Sequence, residues 1–416
     1  MSDIKELMKA YVDSLIENTP SYIPFWNQED FKGKWNYIDG VFLNALVNLY
    51  YAVKDSEPEK SEEYKNFLIR YVNYYITKEG QFINRRNSDK PGYVQTELDS
   101  VCASKVLFDL YEFTKDERYL KAIETTYEGL QKQPRVEGGP NLCHKTSYPN
   151  QIWLDSMYMY GPFLARYSIM YNKPELLDEI KIQYQYIREH VYDNEKKLYY
   201  HCYDSTKSIF WANKETGCSP NFWLRSLGWY IVSLCDILEY YPEGDNKKYL
   251  NSLLQEALDG ILKYQDSKTN MFYQIIDKPD LEILVPFSYL EALKNKAYQQ
   301  DTVIKNYLET SGSSMISYSL LKASSLGYIN SNYNEIGKNI FEGILEHSFN
   351  NNKLQNICIT AGLGPENKPF RDGTAEYYLA EPVGSDDAKG VGPFLMAYIQ
   401  YNYNPKFIIP TPIVKK

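Results

Sequence analysis

Two aspartates stand at the heads of strongly apolar runs that recur one helical hairpin apart. Asp99 lies in Thr96-Glu97-Leu98-Asp99-Ser100, and Asp155 in Tyr148-Pro149-Asn150-Gln151-Ile152-Trp153-Leu154-Asp155-Ser156. Two carboxylates converging on one rim beside tryptophans are the usual apparatus for acid–base chemistry on a sugar. Either Asp alone reads equally well as a helix N-cap. If the pair converges, like-charge repulsion raises the pKa of one member, leaving a protonated acid and an ionised partner near neutral pH.

Further polar and aromatic residues cluster at comparable places. His144 is followed by Lys145, and His201 sits in Tyr200-His201-Cys202-Tyr203-Asp204. A lone histidine is commonly a structural hydrogen-bonder, so both are candidates for test. Arg225 stands between Trp223 and Trp229, and the i, i+4 step places Arg225 and Trp229 on one face at a helix start. It reads either as a cation–π contact in the core or as a clamp for a carboxylate. Ala361-Gly362-Leu363-Gly364-Pro365 follows no strand and opens no helix, which excludes a nucleotide-binding loop. No Ser or Cys nucleophile motif is present. The six cysteines form no CxxC and no Cys/His ligand spacing, so no metal centre is expected.

The elements that must position these residues read as helices throughout, with one β-hairpin expected near Leu198 to Trp211. Amphipathic helices alternate with helices apolar nearly all round. In Glu117 to Lys132, Tyr119, Leu120, Ile123, Tyr127 and Leu130 share one face, whereas Asn221 to Tyr241 is apolar on most sides. The amphipathic members begin near Asp3, Ser61, Glu117, Pro174, Lys247 and Asn332, and their apolar partners near Tyr37, Leu98, Ile152, Phe222, Ser313 and Val391. Six buried inner helices ringed by six outer ones make an all-α, (α/α)6 six-hairpin barrel, and no Pro/Gly/Ser-rich linker divides residues 1–416. The segments leading into the inner helices then open on one rim. They include Trp35-Asn36-Tyr37-Ile38-Asp39-Gly40, both Asp segments, and Ser219-Pro220-Asn221-Phe222-Trp223-Leu224-Arg225. Helix N-termini at that rim favour an anionic ligand.

Bulk composition narrows the partners. The formal charge of −9 with no basic run argues against nucleic acid. No stretch reaches the roughly 18 consecutive apolar residues of a membrane span. The N-terminus, Met1-Ser2-Asp3-Ile4-Lys5-Glu6, reads as the first helix and not a secretory signal, so a cytoplasmic protein is expected. The 41 tyrosines suit sugar-stacking platforms, although codon bias is the more ordinary explanation of such an excess, and only tyrosines inside a motif carry weight.

Together the segments resemble the unsaturated rhamnogalacturonyl/glucuronyl hydrolases of glycoside hydrolase family 105, relatives of family 88. The resemblance runs from about Trp35 to Ile399. It rests on His144-Lys145-x-x-Tyr148-Pro149-Asn150-Gln151-x-Trp153-Leu154-Asp155, on Ser219-Pro220-x-Phe222-Trp223-x-Arg225, on Arg371-Asp372-Gly373-Thr374-x-Glu376-Tyr377-Tyr378, and on Asp387-Ala388-Lys389-Gly390-Val391-Gly392-Pro393-Phe394. It implies an enzyme that needs no cofactor and acts on anionic oligosaccharides carrying a 4,5-unsaturated uronic acid at the non-reducing end. Such enzymes hydrate the C4=C5 double bond, and the resulting hemiketal opens to release the saturated sugar.

By motif position, Asp155 would protonate C4 and then activate water, and Asp99 would be the second essential carboxylate. Tyr37, His144, Trp153, His201, Trp223, Arg225 and Trp229 would bind the uronyl group, with unsaturated galacturonyl-rhamnose the expected substrate. The oligomeric state stays open. Two departures from the family are expected to matter. Leu227 would remove a polar group from the pocket edge. Residues 280–307 would be an addition forming a lid or subsite wall. Two other readings compete: a sugar 2-epimerase, disfavoured by the few rim histidines, and a non-catalytic carbohydrate-binding barrel, disfavoured by retained Asp99, Asp155 and Arg225.

Overall fold

The computed structural model describes residues 2–19, 35–85, 90–92 and 97–405; Met1 and Thr96, at the heads of the N-terminal and Asp99 segments, lie outside them. The helices run in pairs along the chain. First come α1 (Ser2–Glu17) and α2 (Tyr37–Val53), then α3 (Pro58–Tyr75) and α4 (Leu98–Ser104), the last continued by α5 (Val106–Thr114). They are followed by α6 (Glu117–Gln131) and α7 (Ser156–Met170), then α8 (Glu175–Val191) and α9 (Leu224–Ile237). After α10 (Asp245–Ile261) and a short α11 (Phe287–Ala292) come α12 (Thr310–Ser325), α13 (Tyr333–Ser348), a short α14 (Ala375–Ala380) and α15 (Ala388–Asn402).

Helices α2, α4, α7, α9, α12 and α15 pack each on the next, and α15 closes back on α2. This ring is the inner layer of an (α/α)6 barrel, and the six pairs are the ones that the alternating pattern predicts. The outer helices bury a single stripe, as in α6 with Tyr119, Ala122, Ile123, Thr126, Tyr127 and Leu130. By contrast, α9 is buried from Leu224 through Cys235. Each fully buried large apolar side chain contributes about 1.5–3 kcal/mol of transfer free energy, so an inner helix is held by packing on all sides and not by propensity. Glycines let the inner helices approach: a Cβ on Gly40 of α2 would lie 2.5 Å from Cα of Ala103 on α4, and one on Gly392 of α15 would lie 2.2 Å from Val41.

Strands are short and sit at the rim. β1 (Gln151–Trp153) pairs antiparallel with β4 (Cys202–Asp204), while β2 (Tyr192–Asp193) pairs with β3 (Leu198–Tyr199). The expected hairpin over Leu198 to Trp211 therefore does not form. The tight turn falls earlier, where the Asp193 carboxylate accepts the Glu195 and Lys196 N–H groups and Lys197 takes the left-handed region at φ 59. β4 is thereby left to pair with a strand some fifty residues upstream. β5 (Glu282–Val285) and β6 (Thr302–Lys305) form a further hairpin around α11. The remaining strands are β7 (Phe349–Asn350) with β8 (Lys353–Leu354), and β9 (Ile357–Cys358) with β10 (Val383–Gly384).

Candidate active site

The segments leading into the inner helices line a pocket of ≈ 200 Å³ that holds Tyr37, Asp99, His144, Lys145, Tyr148, Trp153, Asp155, Trp223, Arg225 and Arg371. Both aspartates reach it, as their positions require.

Asp99 lies in the first turn of α4, and the loop before β1 is tied onto that turn. Leu98 N–H donates to the His144 carbonyl at 3.0 Å, and Glu97 bridges Lys145 in antiparallel fashion. The pairing brings Lys145 Nζ to 2.8 Å from Asp99 Oδ2 and 3.0 Å from Glu97, and His144 Nε2 to 3.3 Å from Asp99 Oδ1. Burial alone would raise the Asp99 pKa. Lys145 and His144 outweigh it and hold this carboxyl far below the usual carboxylate range. Asp99 is therefore held in its ionised form, its charge neutralised locally by Lys145 and His144. His144 is fixed from its other side by Ser156 Oγ, 2.9 Å from Nδ1, and its ring stacks on Trp153 at 4.4 Å with 6° between planes. Tyr148 stacks on Trp153 in turn, at 5.4 Å.

Asp155 is held differently. It precedes α7 in the N-cap position, yet its backbone is already helical (φ −53, ψ −35) and its side chain makes no capping hydrogen bond. The capping reading is thus excluded by geometry. Oδ2 is buried with no hydrogen-bond partner among the described residues, and its neighbour is His201 Nε2 at 3.5 Å. The β1–β4 register creates this encounter: Trp153 lies opposite Cys202, and Leu154 N–H donates to the His201 carbonyl at 3.0 Å.

His201 is wholly buried, and burial pushes its pKa down against the raising influence of Asp155, so the ring is neutral at neutral pH. Its Nδ1 lies 2.7 Å from the Tyr378 hydroxyl. Burial raises the Tyr378 pKa well above its ordinary value, which keeps the phenol protonated. When that O–H donates to Nδ1, the ring proton stands on Nε2 and faces Asp155.

Arg225 is 1% exposed and enters the pocket from the first turn of α9. It donates through Nη1 to Ser311 Oγ (3.3 Å) and to the Cys358 carbonyl, and through Nη2 to the Ile359 carbonyl (3.5 Å). Its guanidinium also lies 4.5 Å from the Trp223 ring centroid. Three of its five N–H groups are directed at the protein, so Arg225 anchors the Thr360-Ala361-Gly362 wall while stacking on Trp223. On that wall a Cβ at Gly362 would lie 2.8 Å from Trp153, so only glycine lets the wall close against the indole.

Not every expected residue is here. Trp229 is 1% exposed and stacks on Tyr158 at 4.3 Å in the core, one helical turn below Arg225, and it contributes nothing to the pocket lining. His201 lies behind Asp155 and Trp223 and not on the surface of the pocket. Leu227 is fully buried in the core, so it alters no pocket edge. Residues 280–307 give the pocket no lining residue. They pack behind its wall, where Tyr289 OH donates to Asp372 Oδ2 at 2.7 Å and Asn295 donates to the Ala380 carbonyl at 2.9 Å. Lys145, Tyr148, Arg371 and Tyr378 were not singled out beforehand. All four stand inside segments that carry the family resemblance, and that was the available signal.

Among the described residues, no group of three or more His, Cys, Asp and Glu side chains is placed to hold a metal ion, and no helix is long and apolar enough to cross a membrane. All six cysteines are buried and free.

A family model described as Glycosyl Hydrolase Family 88 matches residues 8–292 and 295–404, and so runs through the segment expected to be an addition. A solved family 105 glycoside hydrolase of C. acetobutylicum ATCC 824 is 30% identical, with a TM-score of 0.78 over 95% of this chain and 98% of that one. Protein Atu3128 of Agrobacterium fabrum (strain C58 / ATCC 33970) is 32% identical over 248 residues, 58% of this chain and 96% of its own length. The unsaturated rhamnogalacturonyl hydrolase YesR of Bacillus subtilis (strain 168) is 23% identical over 295 residues, 69% of this chain and 73% of its own.

Proposed function

Because the chain belongs to the glycoside hydrolases of families 88 and 105, we propose that it hydrates the C4=C5 bond of a 4,5-unsaturated uronic acid at the non-reducing end of an oligosaccharide and so releases that residue. The observation that carries this reading is the unequal treatment of the two buried carboxylates. Asp99 is locked as an anion by Lys145 and His144. Asp155 is uncapped, and its neighbour is the neutral His201. An enol ether needs one group that can deliver a proton to C4 and then, as a carboxylate, take a proton from the water that attacks C5. Asp155 fills both roles. Water supplies the hydroxyl at C5 and the proton returns to Asp155, so the group is regenerated at each turnover. The C5 hemiketal then opens and the neighbouring sugar departs.

In this scheme Asp99 accepts hydrogen bonds from the ring hydroxyls without titrating, and Trp153, Tyr148 and Trp223 offer faces and edges to the planar unsaturated ring. Arg371 supplies positive potential for the uronate carboxylate at the pocket wall. Arg225 supports it from beneath. For the neighbouring sugar we favour rhamnose, in unsaturated galacturonyl-rhamnose, on the likeness to YesR; unsaturated glucuronyl disaccharides are the second choice.

The test is decay of the ultraviolet absorbance of the conjugated acid on a panel of lyase-generated disaccharides, with Asp155→Asn as control. Decay with the wild type and none with the variant supports the reading. A panel that binds by calorimetry with no decay by either protein would leave a binding barrel instead.

A further inference from the structure

Glu309 stands just before α12, fully buried, and contributes nothing to the pocket lining. As the N-cap of α12 it accepts the Gly312 N–H through Oε2 at 2.8 Å. Glutamate is not a favoured N-cap, and the shorter Thr310 and Ser311 follow it directly in the chain. The longer acid reaches past the helix end. Its Oε1 accepts the Cys358 N–H at 3.1 Å and lies 3.9 Å from Arg225 Nη1. Ser311 bridges that last gap: its hydroxyl donates to Glu309 Oε1 at 2.7 Å and accepts from Arg225 Nη1 at 3.3 Å.

These contacts close on one residue of β9. Cys358 lies opposite Val383 of β10, but it is Ile359 whose N–H donates to the Pro382 carbonyl, at 2.9 Å. The register therefore turns both backbone groups of Cys358 away from β10. Glu309 takes the N–H and Arg225 takes the carbonyl. A buried ion pair thus stands where a further strand would pair with β9. Neither charge is dispensable, because breaking a buried pair on one side leaves an uncompensated ion. Four residues on from Cys358 is Gly362, where the wall closes against the Trp153 indole. The wall is thereby tied to α9 and α12 as well as to β10.

We infer that Glu309 is a positioning residue for the pocket: through Arg225 and Cys358 it sets how closely the Thr360-Ala361-Gly362 wall shuts on a sugar ring beside Trp153. This role rests on the reaction proposed above, although Glu309 itself touches no substrate atom.

Glu309→Asp separates the role from helix capping. Aspartate is the better N-cap, so α12 and Tm should be kept. It is also one methylene shorter, and cannot hold Gly312 and Cys358 together. Two readouts are taken on the whole protein: kinetics on the unsaturated disaccharide that the wild type hydrates, and hydrogen exchange over 357–362 by mass spectrometry. KM should rise about tenfold, the order of one charge-assisted hydrogen bond, with kcat changed far less. Exchange over 357–362 should quicken while the rest of the chain exchanges as in the wild type. Glu309→Gln should behave alike in both readouts; should it fail to fold, Glu309→Asp carries the test.

Wild-type KM with wild-type exchange in Glu309→Asp overturns the role and leaves a helix cap. Faster exchange with unchanged KM also overturns it, since the wall then moves without consequence for the substrate. Raised KM without faster exchange overturns the route through β9. Should the wild type turn over no disaccharide of the panel, the reaction itself fails. Exchange over 357–362, together with calorimetric affinity for the same disaccharides, then decides the role of Glu309.

Discussion

Lys145 Nζ stands 2.8 Å from Asp99 Oδ2, with the Asp99 side chain 7% exposed and that of Lys145 23%. The contact joins the loop before β1 to the first turn of α4, and it fixes the charge of one of the two carboxylates facing the pocket. Removing the ammonium as Lys145→Met leaves a buried anion with only His144 for compensation. The expected result is a loss of about 3 kcal/mol, the low end for breaking a buried pair. It is checked by urea unfolding at neutral pH. The Asp99 pKa should rise as well, so the acid limb of the kcat/KM profile should move to higher pH. The wild type, whose Asp99 pKa is depressed, keeps this contribution throughout neutral and mildly acidic conditions. It loses it only as pH falls through the folded-state value. An unchanged profile in Lys145→Met would remove Lys145 from the account of Asp99.

Asp155→Asn should lower kcat by about 10²–10⁴, the usual contribution of a placed acid–base group. Stability should hardly change, because the native side chain does not cap α7 and its buried Oδ2 has no hydrogen-bond partner among the described residues. Circular dichroism melting beside the absorbance assay checks both halves. A large fall in Tm would show that the carboxylate holds structure after all.

Tyr378→Phe removes the hydroxyl 2.7 Å from His201 Nδ1 and with it the group that sets the ring tautomer. We expect kcat to fall about tenfold, within the range for groups that orient a catalytic partner, with KM little altered. Imidazole nitrogen resonances should change in parallel. A rise in KM alone would instead make Tyr378 part of the binding surface.

Tyr289→Phe tests the buttress formed by residues 280–307. Asp372, relieved of the Tyr289 hydroxyl, still accepts from Thr374 N–H at 2.9 Å, so the fold should hold. The Arg371 wall should loosen, raising KM by a few fold at constant kcat. The preference for disaccharides over longer chains should narrow with it. Identical kinetics on both lengths would confine the segment to a purely structural part.

The sequence pattern carried the ring of helices because an inner helix must be apolar on all sides and an outer one on a single stripe. That same property hid which way the inner residues point. On α9, buried from Leu224 through Cys235, nothing in the spacing distinguishes Arg225, which reaches the pocket, from Leu227 and Trp229, which face the core. The convergence of Asp99 and Asp155 was legible from hairpin spacing, whereas their different treatment was not. It depends on the bridge between Glu97 and Lys145 and on the pairing of β1 with β4, two backbone registers set by loops. The contact from His201 to Tyr378 spans 177 residues and has no local signature.

The closure of α15 onto α2 bears on how the molecule is made. Until α15 is in place the ring has a seam, with the apolar flanks of α2 and α12 open to water. A nascent chain that has emerged only as far as α12 therefore leaves those flanks unprotected, and the ring closes only once α15 has left the ribosome. Conditions that stall elongation between Ser325 and Ala388 should therefore harm yield more than those that stall it early, because the five inner helices already made lack the one that closes their ring.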